Sequence, residues 1–186
     1  MADKVSIFNL ALYKLKQGRI TNPTQSVELS DIYEAQRDIV LAAHPWNFAV
    51  VRTSIPKDGT TTDWKYAYSY TLPADPWCLR VLGLEDPRAE WEVVADRKLV
   101  TDEGSPLKIA YIARVLDESR FSPAFVDALA SKMAYEAGPK IAGISASRAA
   151  VLFKEYFKKI SSGRSIDGQE GFFMAAADSD YLDARD

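Results

Sequence analysis

The residues of this chain best suited to acid–base or nucleophilic work are its one histidine, His44, and its one cysteine, Cys78. A histidine acting as general base needs a nucleophile or acid partner within hydrogen-bond reach. His44 is flanked by Ala43, Pro45 and Trp46, and none of these can serve. It closes an apolar-periodic stretch, and a helix C-terminus favours a group able to carry positive charge, so a capping or packing role is expected. Cys78 lies between Trp77 and Leu79. A reactive thiolate needs an electropositive, partly exposed setting, whereas a lone thiol among apolar residues is ordinarily a small buried hydrophobe. Structural zinc takes several Cys or His ligands, and the glycines form neither a phosphate loop nor a dinucleotide fingerprint. No catalytic residue, metal site or cofactor is expected, and the chain reads as a non-enzyme.

Two weaker constellations remain. Asp167, Glu170, Asp178 and Asp180 lack the spacing of a calcium loop, and a solvated acidic segment is the simpler account. Tyr66, Tyr68 and Tyr70 alternate as one face of a strand and could stack bases of a single strand. Such platforms come with basic residues, and only Lys65 and Arg80 lie near. The tyrosines are expected to pack a sheet face against helices instead.

The elements that must position these residues can be read from period and punctuation. The chain has 186 residues, a hydrophobic fraction of 47% and a formal net charge of -3, which fits one globular domain with an ample core. The charge is too mild to predict nucleic-acid or membrane binding. The start of the chain lacks the basic segment and apolar run of a signal peptide, and no apolar run is long enough for a membrane span; a reducing cytoplasm is the expected place of synthesis. Helices are predicted over about 3–17, capped by Asp3 and stopped at Gly18, and over about 26–43, with Ile32, Ala35 and Ile39 on the core face. From about 47 to 113 the period changes to short β-branched and aromatic runs separated by turn pairs such as Asp96-Arg97, which predicts an antiparallel meander. Helices resume over about 122–141, capped by Ser122-Pro123 and kinked or broken at Gly138-Pro139, and over about 145–160. The expected fold class is α+β: a bundle of about four helices with an antiparallel β insertion between the second and third. The expected core includes Phe8, Leu12, Ile32, Ile39, Phe125, Leu129, Met133, Leu152, Phe153 and Tyr156.

Residues 163–186 read as a separate, extended C-terminal tail following a domain of residues 1–162. They carry a formal charge of -4, against +1 for the remainder. Glycines at 163, 168 and 171 argue against independent folding, yet Phe172, Phe173, Tyr181 and Leu182 are apolar enough to anchor on a partner. They are the expected docking residues.

One stretch carries a family likeness. Helix two ends in His44-Pro45-Trp46-Asn47-Phe48 and a strand follows at once. Farther on come Tyr66-Ala67-Tyr68-Ser69-Tyr70-Thr71-Leu72-Pro73 and Cys78-Leu79-Arg80-Val81-Leu82-Gly83-Leu84. In the order and spacing of these pieces the chain resembles the tail tubular protein A-like head-to-tail adaptors (connectors) of tailed bacteriophages, over roughly residues 5–162. The resemblance implies a structural protein of the virion, placed at the head–tail junction. Its implied partners are copies of itself in a ring of twelve, the portal protein above and the tail tube or nozzle protein below. DNA would pass through the central channel without sequence-specific binding, and a near-neutral body suits a conduit that must not hold phosphates. From the residues alone, a small α+β ligand- or peptide-binding module is the other reading.

Overall fold

A computed structural model describes residues 2–59 and 65–170. Four helices, α1 (Lys4–Lys14), α2 (Val27–Ala43), α3 (Pro123–Ala142) and α4 (Ala146–Glu170), flank six strands, β1 (Val50–Ile55), β2 (Tyr68–Thr71), β3 (Cys78–Leu84), β4 (Trp91–Val94), β5 (Lys98–Thr101) and β6 (Leu107–Ala113). This is the α+β arrangement expected from the sequence, with the strands between the second and third helices.

α3 is the helix the others share: α1, α2 and α4 each pack on it. Its buried residues explain how one helix serves three neighbours. Ala128, Ala130, Ser131, Ala134, Ala137 and Gly138 are small and let backbones approach, while Phe125, Leu129 and Met133 fill the gaps between. The Ser131 hydroxyl, fully buried, donates to the carbonyl of Asp127 at 2.8 Å. Ser122 caps the helix by accepting from the Phe125 amide at 3.3 Å, and Pro123 occupies the first turn, where no donor is lost. Gly138-Pro139, expected to kink or break the helix, does not end it. α3 continues to Ala142 and ends on Gly143 in the left-handed conformation, φ 55°. Pro139 lies inside the helix and lacks the amide that would donate to the carbonyl of Tyr135. A Cβ at Gly138 would stand 2.6 Å from Ile144 Cδ1 and 2.9 Å from Leu15 Cδ2, so those two side-chain ends would have to move.

α1 is capped as expected, in reciprocal form: the Asp3 carboxylate accepts from the Ser6 amide at 2.8 Å and the Ser6 hydroxyl from the Asp3 amide at 3.0 Å. Its end differs from expectation, because Lys16 and not Gly18 takes the positive φ, 58°, that turns the chain out of the helix. On α2 the sequence reading misplaced the core face. The buried residues are Leu29, Tyr33, Arg37, Val40 and Leu41, Ile32 is only partly buried, and Ile39 is exposed. The stripe 29–33–37–40 includes an arginine, which an apolar tally rejects. Arg37 is buried because Asp38 accepts from its Nε at 3.0 Å and its Nη2 at 2.9 Å. Asp38 also pairs with Arg114 at 2.7 Å, just past the end of β6, so one carboxylate ties α2 to the sheet.

The strands are antiparallel but do not form a meander. They make two three-stranded sheets, β1-β6-β3 and β2-β5-β4, in which only β4 and β5 are sequence neighbours. Their connection is the Asp96-Arg97 turn, and both residues lie at positive φ, 58° and 60°, the twist a tight hairpin demands. The two sheets enclose a core of their own, built from Ile55, Tyr70, Leu72, Cys78, Val81, Leu84, Leu99 and their neighbours. Tyr70 therefore packs between sheets and not on the helices, as had been expected of the tyrosine strand. β3 puts Cys78, Val81 and Leu84 into this core at intervals of three. Register shifts after Cys78 and after Val81 insert the extra residue that makes such spacing possible. β6 serves both cores by strict alternation: Leu107, Ile109, Tyr111 and Ala113 face the sheets and Ile112 the helices.

The largest departure concerns the C-terminal helix. It was expected to stop near residue 160, yet α4 runs on to Glu170, so residues 163–170 are helical where an extended tail was expected. Gly163, read as a sign of weak folding, is buried. A Cβ there would meet Trp46 at 2.7 Å and 2.8 Å, so the glycine is what lets α4 cross the indole. The core also excludes Phe153, which was expected inside. Leu152, Tyr156 and Ile160 are buried, while Phe153 is 40% exposed.

Candidate functional site

The segment His44–Phe48 lies where the helices meet the sheet. His44 is the C-cap of α2, 1% exposed, with its ring edge-on to Trp46 at 4.8 Å. Trp46 is fully buried. Its indole N–H donates to the Val40 carbonyl at 2.9 Å and its ring meets Phe125 edge-to-face at 5.3 Å. The Phe48 and Phe121 rings extend this cluster around Phe125. The arrangement locks α2, the start of β1 and α3 together, and gives His44 neighbours suited to packing. Cys78 is likewise buried. Burial pushes its thiol up from the ordinary value, against the opposing pull of the Arg97 charge, so little thiolate exists at neutral pH. Among the described residues no group of three or more His, Cys, Asp or Glu side chains is placed to hold a metal ion. No helix among them is long and apolar enough to cross a membrane.

Three carboxylate sites are organised by partners and serve the fold. Asp58 accepts from Ser69 at 3.0 Å, Thr71 at 2.7 Å and Lys98 at 2.8 Å, which fixes the loop after β1 against β2 and β5. Desolvation raises its pKa, but these three donors outweigh it and hold the carboxyl below its usual value. Asp38 joins α2 to Arg114 as described. Asp127 pairs with Lys14 at 2.9 Å and with Lys159 at 2.6 Å, tying α1 and α4 to α3. Burial pushes Asp127 up, but the hydrogen bonds from Lys159 and then Lys14 prevail and hold its carboxyl below the usual value. A group whose folded-state pKa is depressed contributes stability in full above its unfolded value and loses it as pH falls through the folded one. Asp127→Asn should therefore lower the melting temperature at neutral pH, and its deficit relative to the parent protein should shrink on acidification to about pH 3. Melting curves across that range check it. A deficit that does not change with pH would show that the charge of Asp127 is not what stabilises the three-helix junction.

Exposed apolar side chains stand on several elements, among them α1, α2, β4 and α4. Val27 and Ile39 are exposed on α2, Val93 and Val94 on β4, and Phe153 and Phe157 on α4. Among the described residues β4 is an edge strand of its sheet and carries those two valines; an edge of this kind is open to strand addition. A further concavity, about 530 Å³, opens over the sheet β1-β6-β3 and is lined by Arg52, Thr53, Leu84, Glu85, Lys108 and Ala110. Trp77, exposed, carries the Arg97 guanidinium over its ring at 3.5 Å. That guanidinium also donates to the Pro73 carbonyl at 2.6 Å, which holds the strained Asp96-Arg97 turn in place.

The expected docking residues Phe172, Phe173, Tyr181 and Leu182 lie outside the described residues. Sequence reasoning missed Ile39 and Phe153 as surface residues. The signal lay in phase: Leu29, Tyr33 and Val40 on α2, and Leu152, Tyr156 and Ile160 on α4, define stripes that leave both residues off the buried face. No known protein family matches the chain, and no curated protein matches it.

Proposed function

We propose that this protein is a structural head-to-tail adaptor of a tailed bacteriophage, a ring-forming subunit seated between the portal and the tail tube or nozzle, with DNA passing through the channel. The sequence resemblance of His44–Phe48 and of 66–84 to that family motivates the reading. The observation that carries it in three dimensions is the placement of exposed apolar side chains on different elements, Val27 and Ile39 on α2 and Val93 and Val94 on β4. A closed ring is built from heterologous contacts, in which one patch of each copy meets a different patch of the next. A chain with exposed apolar side chains on unlike elements has the raw material for such contacts. A subunit of this kind needs a rigid body and no reactive centre, and the buried His44 and Cys78 suit that role.

The test is native mass measurement of the full chain, alone and mixed with a purified portal ring. A defined ring, formed alone or on the portal, is the expected result, and Val93→Glu with Val94→Glu should abolish it while leaving the monomer folded. A chain that stays monomeric with the portal present would remove the reading. The 530 Å³ concavity over β1, β6 and β3 favours a second reading, a small α+β ligand- or peptide-binding module, because its size falls in the range of ligand sites. A monomer that binds a small molecule or peptide, with binding lost in Arg52→Ala or Lys108→Ala, would establish that alternative.

A further inference from the structure

The exposed aromatics of α4 form one continuous stripe. Phe153 and Phe157, one turn apart, have ring centroids 4.7 Å from each other. Tyr135 of α3 lies 5.1 Å from Phe153 and extends the stripe across the helix pair. Phe157 is 54% exposed and Phe153 40%. Two phenylalanines left this open on a helix are costly in water, so the stripe calls for a cover. Lys154 and Lys158, both exposed, edge it on the side away from α3. Arg164, also exposed, lies about two turns beyond Phe157 on the same face. Beyond Phe157 the stripe passes through Ser161 and Ser165, which leave a shallow path toward the end of the helix.

We propose that residues 171–186 of the same chain seat along this stripe. The segment has the complementary chemistry: Phe172, Phe173, Met174, Tyr181 and Leu182 for the aromatic floor, and Asp178, Asp180, Asp183 and Asp186 against a single Arg185 for the basic edge. It also has the reach. At about 1.5 Å of rise per residue, Phe157 lies about 20 Å and Phe153 about 26 Å back along α4 from Glu170. Chain from Gly171 to Tyr181 spans up to about 33 Å when extended, so Tyr181 and Leu182 can lie over Phe153 and Phe157 without being drawn taut. Gly171 stands directly after the last helical residue, where a residue free to adopt positive φ can reverse the chain. A same-chain segment pays no translational cost on docking, so modest contacts suffice.

The experiment replaces Tyr181 with a photo-cross-linking phenylalanine analogue in the full chain. The protein is irradiated at high dilution, and the product is sized and mapped by peptide mass. The expected result is an adduct of monomer mass joining the analogue to a peptide of α3 or α4. Phe157→Asp should lower its yield about tenfold, the loss expected of one aromatic anchor, and the melting temperature should hold because the side chain is exposed. Should Phe157→Asp fail to fold, the paired Lys154→Glu and Lys158→Glu variant makes the same test from the charged edge, with a severalfold fall in yield expected, and added salt should lower the yield of the parent protein as well. An adduct between two copies, an adduct elsewhere on the chain, no adduct, or a yield indifferent to these variants would overturn the proposal.

Discussion

Replacing Trp46 with alanine should remove about 3–5 kcal/mol of stability, the largest single effect expected in this molecule. The indole is fully buried, packs on Phe125 and spends its N–H on the Val40 carbonyl at 2.9 Å. Truncation therefore opens a cavity and orphans an acceptor at once. Gly163 supplies the control. A Cβ at that position would lie 2.7 Å from the indole, and neither partner can yield easily, because one is a rigid ring and the other helix backbone. Gly163→Ala should cost about 1–3 kcal/mol through overpacking. In the Trp46→Ala background that cost should vanish, since the obstructing ring is gone, leaving a coupling energy that a double-mutant cycle reads directly. Denaturant unfolding of the four proteins measures it. Strictly additive losses would mean that α4 does not cross Trp46 as described.

The second large effect belongs to the helix faces. Leu129→Ala and Leu152→Ala should each cost about 2–5 kcal/mol, because both side chains are fully buried. Ile39→Ala and Phe153→Ala should change stability by only about 0.5 kcal/mol, as surface substitutions do. These two were expected in the core on sequence grounds, so the four variants together decide between the two assignments of face. Equal losses at Leu152 and Phe153 would mean that α4 is rotated from the position described.

The sequence announced the fold class through its change of period: helical spacing up to His44, short alternating runs to Ala113, helical spacing again from Ser122. The caps were legible because their chemistry is local, with Asp3 and Ser122 each bonding an amide three residues on. What stayed hidden depends on distant residues. The core face of α2 includes Arg37, acceptable there only because Asp38 neutralises it and Arg114 anchors Asp38 in turn. The three-residue spacing of Cys78, Val81 and Leu84 is neither strand nor helix until bulges opposite β6 are known. Gly163 looks like a weak point in a tail until Trp46 is placed beside it, more than a hundred residues away in sequence. The sheet order was illegible for the same reason, since nothing within β1 says that its partner is β6. Of the candidate surfaces, the exposed aromatics of α4 could have been found by phase, while the docking residues 172, 173, 181 and 182 rest on composition.

β6 passes between the two cores with Tyr111 committed to one and Ile112 to the other. The helical half meets the sheets where α2 packs on β3 and β6. Turning one against the other would draw a fully buried side chain into water from whichever side moved, and the Asp38–Arg114 pair braces the same joint from outside. A pull on the sheets is thus delivered to the helices within the length of one peptide unit. The two halves bear load as a single block, and the β4–β5 hairpin at the rim is held in turn by the pairing of β5 with β2, by Lys98 on Asp58 and by the Arg97 guanidinium over Trp77.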